Sequence, residues 1–358
     1  MSDNSKSFWQ DKKVLITGHT GFKGGWLSLW LHNKGADVVG FSLPPGTNPN
    51  LYQSLELKKK ITSVFGDIRN FSQIRQVVEK YKPEIVFHLA AQPLVRQSYK
   101  NPLETYQTNV IGTANVLEAV KGAGSVKVVV CITTDKCYEN REWVWPYREE
   151  DKLGGYDPYS SSKACAELVV SAYRNSFFST SKGHKVAIAS TRAGNVIGGG
   201  DWNDDRLIPD MIRAVFENKN FEVRNPDAVR PWQHVLDPLF GYITLAEKLW
   251  KEGDKFSEAW NFGPDNDEVV PVKEIIKQLN NSLSKKVTIQ KQNGENPHEA
   301  RLLLLDSSKA KSRLNWSLKL KIDKALKFTA DWYEAFYSKQ KMAEFTSDQI
   351  KQYEEGVI

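Results

Sequence analysis

The sequence is poor in cysteine and contains no long apolar run. Cys131, Cys137 and Cys165 are an odd and sparse set, which argues against a disulfide framework and fits a reducing cytoplasm. Their spacing does not match a zinc site, so we expect no bound metal. No apolar stretch reaches the roughly 20 residues of a membrane span. The segment Met1–Lys12 is polar, so we expect neither a signal peptide nor a membrane partner.

The charge of the chain is only mildly positive. Its 49 lysines and arginines exceed its 43 aspartates and glutamates by 6, and the basic residues are scattered along the sequence. This pattern argues against nucleic acid as the main partner and is compatible with an anionic small molecule. With 358 residues, 40% of them hydrophobic, the chain can form one large α/β domain or two domains that share an interface.

The first motif joins a short apolar strand to a helix through a glycine-rich turn. Lys13–Thr17 is the predicted strand, and an apolar helical pattern follows the turn and stops at Gly35. Such a turn lets the backbone approach a pyrophosphate, and the helix N-terminus offers free N–H groups and a positive dipole. Taken alone, the turn could be purely structural. In this context it predicts a dinucleotide site made by Thr17, Gly18, Gly21, Phe22, Lys23 and Gly24.

Further candidate cofactor residues follow the next strands. The predicted second strand, Asp37–Leu43, does not end in the acid that often binds the adenosine ribose. No arginine for a 2′-phosphate stands there either, which favours NAD over NADP. The third strand ends at Asp67 and Ile68, and Asp67 could hold the adenine amino group. After the fourth strand, Glu84–His88, come residues that would let a cofactor lie close: Leu89, Ala90 and Ala91.

Strands and helices alternate through the first half of the chain. Val126–Ile132 is a fully apolar run typical of a strand buried on both faces. The alternation of six or seven strands with helices predicts an α/β fold with a doubly wound, mostly parallel Rossmann sheet. We therefore predict an NAD-binding domain at residues 1–192 and a smaller mixed α/β substrate domain at 193–358, with segments near 235–262 returning to the first. The charged tail after Lys339 is expected to be a solvated helix.

The residues that could carry chemistry follow the fifth strand. Thr133-Thr134-Asp135-Lys136 lies at the carboxyl end of a central strand, where open α/β sheets place their sites; the alternative is a capped loop. Tyr159 and Lys163 follow Pro158 and share one face of a helix. A nearby ammonium should lower the tyrosine pKa from roughly 10, making Tyr159 a general base for an alcohol. The pair alone could also be a solvated helix face.

Together these motifs resemble those of the extended short-chain dehydrogenase/reductases, and more narrowly of the nucleotide-sugar 4,6-dehydratases. The resemblance extends from Lys12 to about Trp316. It rests on Thr17-Gly18-x-x-Gly21-x-x-Gly24, Asp67-Ile68, Asn109, Thr133-Thr134 and Tyr159-x-x-x-Lys163. Three segments are most similar to members that act on CDP-D-glucose: Gly18–Gly24, Thr134–Tyr138 and Arg230–Val235.

The resemblance implies a cofactor, a substrate and a product. It implies bound NAD, also contacted by Asn109, Thr133, Tyr159 and Lys163, and a homodimer or dimer of dimers. CDP-D-glucose would become CDP-4-dehydro-6-deoxy-D-glucose, a precursor of bacterial surface polysaccharide. Thr134 would bond the hydroxyl on carbon 4, Tyr159 would take its proton, and Lys163 would hold the nicotinamide ribose. After hydride transfer to NAD, Asp135 would protonate the hydroxyl leaving carbon 6 while a base removes the carbon 5 proton, and the hydride would return to carbon 6.

One position departs from the family pattern. Related dehydratases usually carry Asp-Glu where this chain has Asp135-Lys136. A lysine must first lose its proton, which burial or a neighbouring cation would favour by depressing its pKa. We hypothesise that neutral Lys136 is the carbon 5 base; the alternative is that it only orients Asp135 electrostatically.

The resemblance also implies a set of substrate contacts. Arg230 and Arg301 match arginines that grip the pyrophosphate, a role suited to the planar guanidinium, although each could be a surface salt-bridge residue. Asn195 matches an asparagine that contacts the phosphate. Gln92 and Arg96 lie where the sugar hydroxyls are read.

Two other functions compete with the dehydratase. A nucleotide-sugar 4-epimerase of the same superfamily also oxidises carbon 4, but it needs no acid and base for elimination, so Asp135-Lys136 argues against it. A non-catalytic NAD-binding regulatory module has no reason to keep Thr134, Tyr159 and Lys163 together.

Overall fold

The computed structural model describes residues 7–178, 186–265, 269–291 and 302–357. Its strands are β1 (Lys13–Thr17), β2 (Asp37–Ser42), β3 (Thr62–Phe65), β4 (Ile85–His88), β5 (Val128–Ile132), β6 (Ala187–Ala193), β7 (Val196–Ile197), β8 (Phe221–Val223), β9 (Val229–Arg230), β10 (Gln233–His234), β11 (Ala259–Phe262), β12 (Val270–Pro271) and β13 (Ile289–Lys291). Its α-helices are α1 (Phe22–Asn33), α2 (Leu51–Ser54), α3 (Leu57–Lys60), α4 (Phe71–Tyr81), α5 (Val95–Lys100), α6 (Pro102–Tyr106), α7 (Gly112–Lys121), α8 (Pro158–Phe177), α9 (Leu207–Phe216), α10 (Leu236–Glu252), α11 (Val272–Ser282), α12 (Ser308–Leu314), α13 (Ile322–Tyr337) and α14 (Met342–Glu355).

A parallel sheet forms the centre of the molecule. In the described part of the chain it has seven strands, in the order β11-β6-β5-β4-β1-β2-β3. All five residues of β5 are buried, as an apolar run covered on both faces requires. The strand order reverses between β1 and β4, and open α/β sheets bind ligands at the carboxyl ends of such a pair. The predicted doubly wound Rossmann architecture is confirmed.

The second half of the chain contributes to the same sheet. Strand β11 pairs in parallel with β6, and α10 buries Leu239, Tyr242 and Leu245 beneath it. Two-stranded pairings, β8 with β13, β9 with β12 and β7 with β10, lie outside the central sheet. The division into domains at residue 193 stays a prediction, and the return of the chain at β11 is compatible with it.

The C-terminal helix is packed against the body of the protein. Helix α14 buries Met342, Ile350 and Tyr353, and Trp30 Nε1 of α1 donates to Glu354 Oε1 at 2.8 Å. The segment after Lys339 is a helix, as expected, but the expectation that it is solvated is wrong, because one of its faces is buried against the protein.

The helical segment from Pro102 to Lys121 contains a π-helical turn. Helix α6, the π turn Gln107–Ile111 and α7 follow one another without a break. Such turns occur often at functional sites, because they redirect single side chains. Here the turn contains Asn109, which lies beneath the cavity described below. None of the helices in the described ranges is long and apolar enough to cross a membrane.

Candidate active site

A cavity of about 990 Å³ lies at the carboxyl ends of the central strands. It opens between the loops that follow β1, β4 and β5 and segments of the second half of the chain. Most of the predicted site residues line it: Gly18, Gly21, Phe22, Lys23, Gly24, Asp67, Ile68, Leu89, Ala90, Ala91, Gln92, Arg96, Thr133, Thr134, Asp135, Lys136, Tyr159, Lys163, Asn195 and Arg230. Arg301 lies outside the described residues.

The glycine-rich turn forms one wall of the cavity. Gly18 has φ +82°, and a Cβ there would lie 2.7 Å from the backbone nitrogen of Ala90. A Cβ on Gly24 would lie 2.1 Å from the Gly18 carbonyl oxygen, so helix and strand meet too closely for a side chain. Gly21 is different, because the nearest atom to its added Cβ is Gly18 O at 3.4 Å. Its bare backbone keeps the cavity open where the N-terminus of α1 presents its N–H groups, which fits a dinucleotide pyrophosphate.

Two predicted cofactor residues, Thr17 and Asn109, lie behind this wall. Thr17 Oγ1 contacts His88 Nδ1 at 2.8 Å and accepts from the Ala90 N–H at 3.2 Å. Asn109 Oδ1 accepts from the Gln92 N–H at 2.8 Å, while its Nδ2 donates to Ser162 Oγ at 2.8 Å. The two side chains therefore brace the loop after β4, and Asn109 ties it to α8.

Asp67 faces the cavity but is already engaged by a neighbour. Its carboxylate accepts from the backbone N–H of Arg69 and from Arg69 Nε, both at 2.8 Å. Arg69 also lines the cavity and was not among the predicted residues. Its position two residues after Asp67, in the loop that follows β3, is the signal that could have identified it.

Thr134 and Asp135 form the acidic corner of the site. The Thr134 hydroxyl donates to Asp135 Oδ1 at 2.9 Å. Asp135 Oδ2 is buried and has no hydrogen-bond partner in the described structure. Burial raises the pKa of Asp135, against the opposing effect of Lys136 and the Thr134 hydrogen bond. A carboxyl group whose neutral form is favoured is suited to donate a proton. Lys136 itself is half-buried at the cavity wall.

Tyr159 and Lys163 project from the first two turns of α8. Asp157 caps this helix by accepting from the Ser160 N–H at 2.9 Å, and Pro158 occupies its first position. Lys163 Nζ donates to the Ile132 carbonyl at 3.4 Å. Burial raises the pKa of Tyr159 to about 12 and lowers the pKa of Lys163 to about 8. The expectation that the Tyr159 pKa is lowered is wrong for the ligand-free protein, because desolvation of the phenolate dominates.

A further cationic cluster stands on the wall near Tyr159. Arg206 Nη1 forms an ion pair with Asp201 Oδ2 at 2.9 Å, and both residues line the cavity. The Arg206 charge opposes the upward shift that burial causes in the Tyr159 pKa. Burial, together with the Arg206 charge, lowers the pKa of Lys23 to about 8. Arg206 was not predicted; its place directly before the apolar helix α9 gave no signal of function.

The predicted substrate residues occupy the rest of the cavity. Arg230 is buried and Asn195 half-buried. The Gln92 amide is held by the Leu94 N–H at 2.6 Å and by Thr105 Oγ1 at 2.9 Å. Arg96 Nη1 forms an ion pair with Asp205 at 3.0 Å.

Comparisons with known proteins agree with this architecture. The family model described as GDP-mannose 4,6 dehydratase matches residues 15–329. The CDP-glucose 4,6-dehydratase of Salmonella typhimurium is 50% identical over 350 residues, 97% of this chain and 98% of that protein. The UDP-glucuronate 4-epimerase of Thermodesulfobacterium geofontis is 29% identical over 89% of this chain and 95% of its own. A solved dTDP-glucose 4,6-dehydratase from Bacillus anthracis, in complex with NAD, has a TM-score of 0.76 and 26% identity, over 93% of this chain and 99% of that one.

The match of the family model covers most of the chain, and the Salmonella relative is similar over nearly its full length. The Rossmann sheet, the glycine-rich turn and the Tyr159–Lys163 helix are the structural counterpart of that match. The chain therefore belongs to the GDP-mannose 4,6 dehydratase family, within the extended short-chain dehydrogenase/reductases.

Proposed function

We propose that this chain converts CDP-D-glucose into CDP-4-dehydro-6-deoxy-D-glucose and water, with NAD as its cofactor. The observation that carries the reaction type is the buried Asp135, hydrogen-bonded to Thr134 in the same cavity as Tyr159 and Lys163. One cavity thus holds groups suited to oxidation at one carbon and groups suited to elimination at its neighbours. The identity of 50% with the Salmonella CDP-glucose 4,6-dehydratase supports the cytidine nucleotide.

The turn at Gly18, Gly21 and Gly24 fits the NAD pyrophosphate, because all three glycines line the cavity and their bare backbone lets a ligand approach closely. Ala90 and Ala91 line the cavity beside it, and Lys163, which also lines the cavity, would hold the nicotinamide ribose. When bound, NAD would supply the hydride acceptor for carbon 4 of the sugar and the hydride donor for carbon 6.

Tyr159 and Thr134 act on the hydroxyl of carbon 4. Thr134 orients this hydroxyl, and Tyr159 removes its proton as general base. The Arg206 charge and the Thr134 hydrogen bond favour the phenolate against the effect of burial. Burial raises the pKa of Tyr159 to about 12, so the phenol carries its proton near neutral pH.

Asp135 and Lys136 act on carbons 6 and 5. Asp135 Oδ2 is buried, without a hydrogen bond from the described residues, and donates a proton to the hydroxyl leaving carbon 6. Lys136 stands next to it on the cavity wall and removes the proton from carbon 5. Arg230, Asn195 and Arg301 would bind the diphosphate, and Gln92 and Arg96 would contact the sugar hydroxyls.

A 4-epimerase is the competing activity, since relatives of the chain include 4-epimerases. An epimerase needs only the oxidation at carbon 4 and has no use for a proton donor at carbon 6. The raised pKa of buried Asp135 favours the dehydratase.

The test is incubation of the purified protein and NAD with CDP-, dTDP-, GDP- and UDP-linked sugars, followed by mass spectrometry. We expect loss of one water from CDP-D-glucose and unchanged masses for the others. Loss of water from none of them would overturn the proposal, and an unchanged mass with a new 4-epimer would establish the epimerase.

We also propose that two copies of the chain form a homodimer. Apolar side chains are exposed on adjacent helical segments, with Leu103 76%, Leu168 59% and Ile111 53% accessible. Burial of such side chains against a second copy would stabilise the pair. Light scattering after size exclusion should give twice the chain mass, and Leu168→Arg should give the monomer. A monomeric wild-type protein would contradict the proposal.

A cytoplasmic location stays part of this proposal. Cys131, Cys137 and Cys165 are free thiols, as is usual in a reducing compartment. Cell fractionation would test it, with recovery in an oxidising compartment as the contrary result.

A further inference from the structure

Glu167 is a buried carboxylate that the catalytic proposal does not use. It lies on α8, four residues after Lys163 and eight after Tyr159, so the three side chains follow one another along one face of the helix. Only 3% of its surface is accessible. Burying an ionised carboxylate costs free energy unless hydrogen bonds and an opposite charge compensate for the lost water. The partners of Glu167 therefore need to be identified.

Glu167 is fully paired. Its Oε1 accepts a hydrogen bond from the Thr133 hydroxyl, and its Oε2 accepts from Ser190 Oγ at 2.7 Å and from Arg192 Nη2 at 2.8 Å. Burial raises the pKa of Glu167, but Arg192 and these hydrogen bonds outweigh it and the net pKa is lowered. The carboxylate is therefore ionised in the folded protein.

Arg192, the ion-pair partner of Glu167, connects it to the residues that follow the Thr134–Lys136 segment. Its side chain is 4% accessible, and its Nη1 donates to the Tyr138 hydroxyl at 2.8 Å and to the Glu149 carbonyl at 2.9 Å. The Tyr138 hydroxyl in turn donates to Asn261 Oδ1 at 2.8 Å. Thr133 and Tyr138 flank the segment Thr134–Cys137, so the two members of one buried ion pair hold its two ends.

We propose that Glu167, paired with Arg192, is a positioning residue that fastens the Thr134–Lys136 segment to the helix carrying Tyr159 and Lys163. This inference rests on the proposed function, because it concerns how the groups for oxidation and the groups for elimination are kept in a fixed position relative to each other. Neither residue lines the cavity in the described structure, so each acts through the residues it holds. A displacement of about 1 Å between reacting groups is enough to cost roughly a hundredfold in rate.

Glu167 also acts on Lys163 through its charge. Burial lowers the pKa of Lys163, and Glu167 is the largest opposing influence. Neutralising Glu167 should therefore lower the Lys163 pKa further and make its amine reactive at lower pH. This effect is separable from positioning, because Arg192 can be altered while the Glu167 charge is kept.

The experiment compares Glu167→Gln, Arg192→Lys and the control Glu258→Gln, which neutralises a half-buried carboxylate outside the cavity that pairs with Arg313 and Lys309. Thermal melting of each variant establishes that it is folded. Steady-state kinetics with NAD and CDP-D-glucose give kcat and KM across pH. Acylation of the ligand-free protein, with the Lys163 peptide quantified by mass spectrometry across pH, reports the Lys163 pKa without any turnover.

For Glu167→Gln we expect kcat to fall by roughly ten- to a hundredfold with little change in KM. We also expect Lys163 labelling and the alkaline limb of the kcat profile to move to lower pH. Arg192→Lys should lower kcat without moving Lys163 labelling, and Glu258→Gln should match the wild type.

Wild-type kcat and wild-type labelling in folded Glu167→Gln would overturn the inference. Should that variant not fold, a wild-type kcat in folded Arg192→Lys would do the same. Absence of turnover in the wild-type protein would instead defeat the proposed function, while the labelling experiment would still test the link between Glu167 and Lys163.

Discussion

The Thr134 hydroxyl donates its hydrogen bond to Asp135 Oδ1 at 2.9 Å and leaves Oδ2 of the same carboxyl facing no donor in the described structure. Gly194 lies beside this oxygen, since a Cβ on Gly194 would lie 3.3 Å from Oδ2. Thr134 also lies beside Tyr159, whose pKa it influences. Thr134 therefore interacts both with Tyr159, the proposed base for carbon 4, and with Asp135, the proposed acid for carbon 6. The groups for the two reactions are neighbours.

Asp135→Asn should stop elimination while sparing substrate binding. The asparagine oxygen can still accept a hydrogen bond from Thr134, but its amide has no acidic proton to transfer to the leaving hydroxyl. We expect kcat to fall by about 10²- to 10⁴-fold, with the dissociation constant for CDP-D-glucose, measured by titration calorimetry, changed only slightly. The exposed Asp348→Asn is the control. Turnover close to that of the wild type would exclude Asp135 as the acid.

Tyr159 should remain a neutral phenol in the ligand-free protein. Because burial raises its pKa to about 12, the phenolate forms only as the pH rises towards that value. Ultraviolet difference titration of wild type against Tyr159→Phe should show no phenolate belonging to Tyr159 between about pH 7 and pH 9.

Such a phenolate, seen in the wild type and lost in the variant, would contradict the effect of burial. In turnover assays Tyr159→Phe should lose about 10²- to 10⁴-fold in kcat, as expected for removal of a general base.

Lys136→Ala should abolish exchange of the carbon 5 proton. If neutral Lys136 is the base, alanine offers no group to remove this proton, and nuclear magnetic resonance in heavy water should show no deuterium entering at carbon 5. Exchange at the wild-type rate would leave Lys136 only the role of orienting Asp135. Near-full turnover of Lys136→Glu would also count against the lysine as base.

Asp237 should make stability depend on pH. It lies at the start of α10, and its Oδ1 accepts from the Lys319 N–H at 2.8 Å and from the Tyr353 hydroxyl of α14 at 2.9 Å. Burial raises its pKa from 3.8 to about 7. The folded state therefore favours the neutral acid, and this contribution is complete below about pH 4 and is lost as the pH rises through about 7.

Thermal melting across this range should show Asp237→Asn gaining stability relative to the wild type as the pH rises. The gain should be on the order of a few kcal/mol in the free energy of unfolding. Asp348→Asn, on the exposed face of α14, should follow the wild-type curve. A constant difference between Asp237→Asn and wild type at every pH would contradict this prediction.

The features that the sequence predicted correctly depend on neighbours along the chain. The glycine-rich turn follows from the spacing of Gly18, Gly21 and Gly24, and Tyr159 and Lys163 share a face because they are four residues apart. The raised pKa of Tyr159 could not be predicted in this way, since the sequence shows the nearby lysine but not the burial that outweighs it.

Other features were missed because their partners are distant in the sequence. Glu167 meets Thr133, Ser190 and Arg192 only after a helix and two strands have been assembled. Helix α14 was misread for a different reason. Its buried positions do follow a helical period, but its high content of lysine and glutamate suggested a solvated segment.

The central claim is a dehydration in which the hydrogen of carbon 4 moves to carbon 6. Its most direct test is CDP-D-glucose carrying deuterium at carbon 4, incubated with the protein and NAD and followed by nuclear magnetic resonance and mass spectrometry. We predict a product that has lost one water and carries the deuterium on carbon 6. A product of unchanged mass, with the deuterium still on carbon 4 and the hydroxyl there inverted, would contradict it.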